Sequence, residues 1–316
     1  MASELQSHYV NGREYKRYVP TNRSGIVCVG LHGTDGTAEG FFGSAQLREI
    51  ADLIGWTIVL PFDPSGKWSK SDLPYIHEAA QQEANGPIVV CGHSAGSGMA
   101  VRLAYDYNGY YCAICCVHSG LPTGLVNRFD PDQYEHPINM LKICSVHDKL
   151  DNHDDGLHFA RLVAWANGHD PKLPRRSGHA SPKVEEFNWF NGVPGGVNEV
   201  GFVSLHWQRD GGVHTWPLKS KGSGYDITRE MVDFFLRHLS GSVAPDEPTF
   251  TIRADDRFGP AIVREYADRV ERFYPGAKQT IADAREQANK MTLWQEKHGT
   301  ESRERSRRAG LRRRSL

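Results

Sequence analysis

Apolar residues along this chain recur with two different periods. Short runs rich in β-branched side chains occur at 26–31 (IVCVGL), 57–61 (TIVLP), 88–92 (IVVCG), 112–118 (CAICCVH), 141–147 (LKICSVH) and 200–207 (VGFVSLHW). Each has the length and composition of a buried strand. Between them lie segments with apolar residues at helical spacing, SAQLREIADLIG, LPYIHEAAQQEA, GMAVRLAYDY, GLHFARLVAWANG and TREMVDFFLRHL. Strands alternating with helices predict an α/β fold, a mostly parallel sheet covered by helices on both faces. The opening HYVNGREYKRYVP reads as an antiparallel hairpin ahead of that sheet.

Composition agrees with this. At 316 residues, 39% hydrophobic and 10% aromatic, the chain suits one large α/β domain with an appendage, and not a disordered polymer. The net charge of −1 favours neither nucleic acid nor a membrane surface, but it hides an asymmetry. From Arg303 onward there are seven arginines and one glutamate, Glu304. The first twenty residues have no apolar run behind a basic cluster, so no secretory signal is expected. That predicts a cytoplasmic protein, or one released without a classical signal. No stretch approaches the roughly 18 apolar residues of a membrane helix. Cys28, Cys91, Cys112, Cys115, Cys116 and Cys144 lie in apolar runs, with no paired zinc-ribbon motif, and read as buried reduced thiols.

Candidate chemistry begins at PIVVCGHSAGSGMA, residues 87–100, where Ser94 stands between glycines at −2 and +2. With 32 glycines in the chain, that pattern alone says little. Its context says more. A strand, then Gly-x-Ser-x-Gly, then a helix is the arrangement of a nucleophile elbow at the carboxyl end of a parallel strand. Gly92 and Gly96 would let the strand and helix backbones approach closely, leaving the hydroxyl at the positive end of a helix.

A serine hydroxyl needs a base, and the base needs an orienting group. In the order Ser, acid, His, the base follows the last strand, where RDGGVHTWP (209–217) holds His214 beside Gly211 and Gly212. The acid belongs in HDKLDNHDDG (147–156), which offers Asp148, Asp151, Asp154 and Asp155. Asp154 and Asp155 fall at a helix start, and Asp148 sits close enough to the strand to serve in a turn. Asp151 is the preferred acid, with the other three left as alternatives. The oxyanion donors are predicted as the backbone N–H of Ala95 and one from HGTDG (32–36), with Thr34 ahead of Asp35. The His- and Asp-rich stretch from His147 to His158 lacks the H-E-x-x-H or H-x-x-x-H spacing of a helical metal site, so neither a metal nor another cofactor is expected.

With these residues placed, residues 8–240 resemble the polyhydroxybutyrate depolymerase and feruloyl esterase group of α/β-hydrolases. VNGREYKRYVP resembles the group's leading hairpin, LHGTDG its Leu-His-Gly oxyanion loop, and GHSAGSGMAVRLAYDY its elbow and helix. VHSGLP resembles its small-residue loop, and GGVHTWP with YDITREMVDFFLRH its closing histidine segment and helix. VHDKLD is similar to its His-Gly-x-x-Asp, which again places the acid on Asp151, although Asp148 stands where the group has Gly. LPFDPSGKW is similar to its Pro-Asp-Gly stretch followed by a tryptophan, here Trp68. The resemblance implies an α/β-hydrolase fold acting on a small or polymeric ester, with Trp68 and Trp216 near the substrate. The group is largely secreted, unlike the expectation here. The stretch 167–196 matches nothing in the group and reads as a long loop, a place for a substrate rim in which Trp189, Phe187 and Phe190 are candidates to line an acyl site.

The predicted organisation is a catalytic domain at 1–240, a Pro-containing linker at 241–250, two amphipathic helices at 251–300, and a basic disordered tail at 301–316. The tail could attach the protein to an anionic surface or polymer. Two other readings stay open: an enzyme held to a cell-envelope ester by that tail, and a catalytically silent binding protein on a hydrolase fold. Oligomeric state is not legible.

Overall fold

The structure is a computed structural model describing residues 4–119, 137–181, 183–190, 198–207, 213–218, 223, 225–239, and 282, 285, 286, 288–290 and 292, with side chains left aside at 176–181. The chain divides into two compact units, Met1–Ala244 and Pro245–Leu316. In the second, the described residues are helical, with Lys290 paired to Glu286 at 2.6 Å. The linker, most of the appendage, the arginine-rich segment, and Gly211 and Gly212 lie outside the described residues.

Ten strands form one sheet in the order β1-β2-β4-β3-β5-β6-β7-β10-β9-β8. They are β1 (Gln6–Val10), β2 (Arg13–Tyr18), β3 (Val27–Leu31), β4 (Thr57–Pro61), β5 (Ile88–His93), β6 (Ala113–Val117), β7 (Met140–Ser145), β8 (Arg176–Ser181), β9 (Val184–Trp189) and β10 (Val200–Leu205). The stretch from β4 through β3, β5, β6 and β7 to β10 is parallel, and antiparallel strands flank it at both ends. All six apolar runs became strands of this parallel stretch, and the opening segment became the β1–β2 hairpin.

The sheet is buried on both sides because successive side chains point to opposite faces. Cys28, Val89, Cys91, Cys115, Val117 and Ile143 join one core. It also takes residues of α1 (Ala38–Ser44), α2 (Leu47–Ile54) and α6 (Ile227–Leu239). Val27, Val29, Val90, Ile114, Cys116 and Cys144 join the other. That core is covered by α3 (Leu73–Glu83), α4 (Ala95–Asp106) and α5 (His153–Ala166). All six cysteines are free thiols, and only Cys112 is not fully buried. Among the described residues no helix is long and apolar enough to cross a membrane.

The stretch 167–196 departs from the expectation of a long loop. Its centre is the β8–β9 hairpin, added antiparallel to β10 with Val200 opposite Trp189 and Phe202 opposite Phe187. In VEEFNW the Val184 and Trp189 side chains are buried, and such a partly buried strand is easily missed among polar neighbours. Trp189 is 1% exposed within the core, so it does not line an acyl site. Phe187 packs against the same core, and Phe190 faces a separate small cavity with Glu199 and Arg237.

Candidate active site

Ser94 follows β5 and heads α4, and its backbone is at φ 53, ψ −120. This left-handed region is unfavourable for a residue with a Cβ and costs about 1–3 kcal/mol. The flanking glycines are what permit the turn. A Cβ on Gly92 would lie 2.3 Å from the Gly96 carbonyl oxygen, and one on Gly96 would lie 2.2 Å from that of Leu31. Ser94 N–H donates to the Val117 carbonyl at 2.8 Å, which extends the β5–β6 ladder to Ser94 itself.

His214 meets that hydroxyl. Its Nε2 lies 2.7 Å from Ser94 Oγ and its Nδ1 lies 2.7 Å from Asp148 Oδ2. The histidine segment is held by its neighbours. Trp216 is buried against Phe41 and donates its indole N–H to Thr228 Oγ1 at 2.8 Å, which clamps the segment to α6. Trp216, expected near the substrate, is 2% exposed and is outside the described lining of the cleft.

The acid was expected at 151, but the carboxylate that meets His214 is that of Asp148. The Asp148 carboxylate accepts Leu150 N–H (2.9 Å) and Asp151 N–H (3.3 Å) on Oδ1, a local turn that aims Oδ2 at His214. Burial pulls its pKa upward, but the His214 and Leu150 hydrogen bonds prevail and leave it below the usual carboxylate range. Asp151 turns under the loop. Its Oδ2 lies 4.0 Å from Lys142 Nζ and 3.5 Å from Cys144 Sγ, and burial, only partly offset by Lys142, raises its pKa. Lys142 is wholly buried in β7, on the same face as Met140 and Cys144, and Asp151 is its carboxylate neighbour. A lysine inside the otherwise apolar run MLKICS was the available signal that one aspartate nearby had to serve the core.

Thr34 and Ala95 both border the cleft. Ala95 is the first residue of α4, so its N–H has no partner within the helix. In the 32–36 loop, Asp35 N–H donates to Gly66 O (2.9 Å) and Gly36 N–H to Gly33 O (3.0 Å). The Asp35 N–H is thereby engaged by the Gly66 carbonyl. Trp68 packs at a tilt against His32 and donates to its carbonyl at 2.8 Å, so it both braces this loop and borders the cleft.

The cleft itself is open and occupies about 860 Å³. Beyond the groups above, its described lining includes Met99, Arg102, Leu150 and Asp35. His118, Asp148 and His214 also offer ligand atoms within 4.8 Å of one another. A transition metal could use that set only by drawing both imidazole Nδ1 atoms away from their contacts with Asp148.

No family profile and no curated protein sequence matches this chain. Solved structures do. An acetyl xylan esterase from Aspergillus awamori aligns at 17% identity and TM-score 0.56, over 73% of this chain and 99% of that one. A thermostable esterase aligns at 16% identity and TM-score 0.40, over 53% and 52% of the two chains. A ferulic acid esterase aligns at 15% and 0.40, over 52% and 86%. The first match, together with the strand order and the turn at Ser94, makes this an α/β-hydrolase fold.

Proposed function

We propose that the protein is a serine carboxylic-ester hydrolase in which Ser94, His214 and Asp148 act as a unit. The observation that carries this reading is the Ser94–His214–Asp148 hydrogen-bonded series at the carboxyl ends of the parallel strands. His214 Nε2 takes the Ser94 proton as Oγ bonds to the ester carbonyl carbon. The oxyanion then faces the N–H groups of Ala95 and Thr34. The C–O bond to the alcohol breaks, and the imidazolium returns the proton to the leaving oxygen. Water then repeats the sequence on the acyl-serine, releasing the carboxylic acid. Asp148 holds Nδ1 protonated, which leaves Nε2 as the base. The acetyl xylan esterase shares the fold, and an esterase activity there agrees with this reading.

The test is turnover of p-nitrophenyl acetate and butyrate together with labelling by a fluorophosphonate. Both are expected of the parent, and Ser94→Ala should lose nearly all of both. A parent that neither turns over these esters nor takes the label would instead favour a binding protein built on a hydrolase fold.

A further inference from the structure

His118 has no part in the series above, yet it sits beside it. β5, β6, β7 and β10 are consecutive neighbours in the sheet. The segments leaving their carboxyl ends carry Ser94, His118, Asp148 and His214 in that order. The His118 backbone is at φ 50, an unfavourable conformation for a bulky residue, and its side chain is completely buried.

Its ring lies between two polar groups. Nδ1 is 3.2 Å from Asp148 Oδ2, a close approach that is not aligned as a hydrogen bond, and Nε2 is 3.4 Å from Ser145 Oγ. Ser145 Oγ in turn accepts the Trp207 indole N–H at 2.8 Å. An indole nitrogen can only donate, so the Ser145 hydroxyl proton is free to point at His118 Nε2. An Nε2 that accepts leaves the ring proton on Nδ1, facing Asp148. Burial, reinforced by His93 and His214, holds the His118 pKa well below the ordinary histidine range, so the ring is neutral. The ionisable groups that face it are His93 from β5, Lys142 from β7, Asp148 and His214.

We propose that His118 is a positioning residue, a second imidazole that holds the Asp148 carboxylate in line with His214 through a donor series starting at Trp207. This rests on the reading of Ser94, His214 and Asp148 given above. Oδ2 then has two imidazole nitrogens against it, His214 Nδ1 at 2.7 Å and His118 Nδ1 at 3.2 Å, while Oδ1 accepts two backbone N–H groups, which restricts the carboxylate's orientation. A donor on Asp148 also weakens its pull on the His214 proton, and removing that donor strengthens the pull.

The experiment is steady-state hydrolysis of p-nitrophenyl butyrate by the full chain as a function of pH, with melting curves to establish folding. His118→Phe keeps a ring and removes the donor. Its kcat should fall by about tenfold or more with KM little changed, and the acid limb of kcat should move to higher pH. His118→Asn places an amide N–H near the former Nδ1 and tolerates positive φ, so it should recover most of the loss and return the limb. Ser145→Ala, which keeps the ring but loses the group that directs its tautomer, should move both quantities the same way by a smaller factor, and it serves if His118→Phe does not fold. Parental kcat and limb in folded His118→Phe would overturn the proposal, as would an Asn variant as impaired as the Phe variant. A parent without turnover or fluorophosphonate labelling would instead sink the reading of the whole site.

Discussion

The Asp148 carboxylate reaches the His214 imidazole across 66 positions of chain, Oδ2 to Nδ1 at 2.7 Å, while Asp151, three residues on, faces the buried Lys142. Two aspartates of one short loop thus have opposite duties. One meets the imidazole that the proposed function makes the base, and the other lies beside a charge inside the protein. The separation follows from the turn: Asp148 Oδ1 accepts the Asp151 N–H, so the loop folds over its own first carboxylate.

The first consequence is a difference between two conservative substitutions. Asp148→Asn should lower kcat by about 10³–10⁴, because the amide favours the wrong imidazole tautomer. Asp151→Asn should stay within about tenfold of the parent. Turnover of p-nitrophenyl butyrate by both variants decides it, and a larger loss from Asp151→Asn would return the acid to position 151.

Asp151→Asn should instead cost stability. Lys142 is wholly buried, and removing its carboxylate neighbour leaves an uncompensated ammonium, at about 3 kcal/mol. Replacing both groups by apolar ones, Lys142→Met with Asp151→Leu, should recover most of that. Urea melts of the three variants check it, and additive losses in the double variant would contradict the pairing.

The strained turn yields a reversal of the usual order of residues. At φ 53, ψ −120 a Cβ is unfavourable, so Ser94→Gly should be more stable than Ser94→Ala by about 1 kcal/mol, and both should be inactive. In an ordinary helical position alanine is the more stabilising of the two. Thermal unfolding of the two variants is the measurement, and alanine ahead of glycine would argue against the strain.

Away from the cleft, Glu230 on α6 carries a pH dependence. Burial first, then the nearby Glu186, raises its pKa from 4.5 to about 6, with Arg237 opposing. Below about 4.5 both folded and unfolded forms are protonated and nothing is lost. Between 4.5 and 6 the unfolded chain gives up its proton first, so stability falls as pH rises, and above 6 the full penalty of about 1–2 kcal/mol applies. Glu230→Gln should therefore stabilise the protein at pH 7.5 and leave it unchanged near pH 4. A pH-independent gain in denaturant melts would count against this.

Much of the fold was legible because burial on both faces gives parallel strands an unmistakable apolar run. IVCVGL, IVVCG and CAICCVH needed no partner to be recognised. The β8–β9 hairpin was not legible, since a strand at the sheet edge alternates weakly and its identity comes from pairing with β10. The same holds for the tryptophans. Trp68 reached the cleft, whereas Trp189 and Trp216 were taken into the core by contacts with residues far along the chain.

Local sequence determined the turn at Ser94, because the need for glycine at 92 and 96 is a property of a few adjacent backbones. It also determined that a histidine after the last strand would face that turn. Which carboxylate meets the histidine, and that a further imidazole at 118 lies beside it, was decided only in three dimensions. Those choices depend on where side chains from β6, β7 and the segment after β10 end up relative to one another, and on a buried lysine that takes one aspartate for itself. Charge satisfaction inside a packed sheet is a property of the whole fold, and no window of sequence contains it.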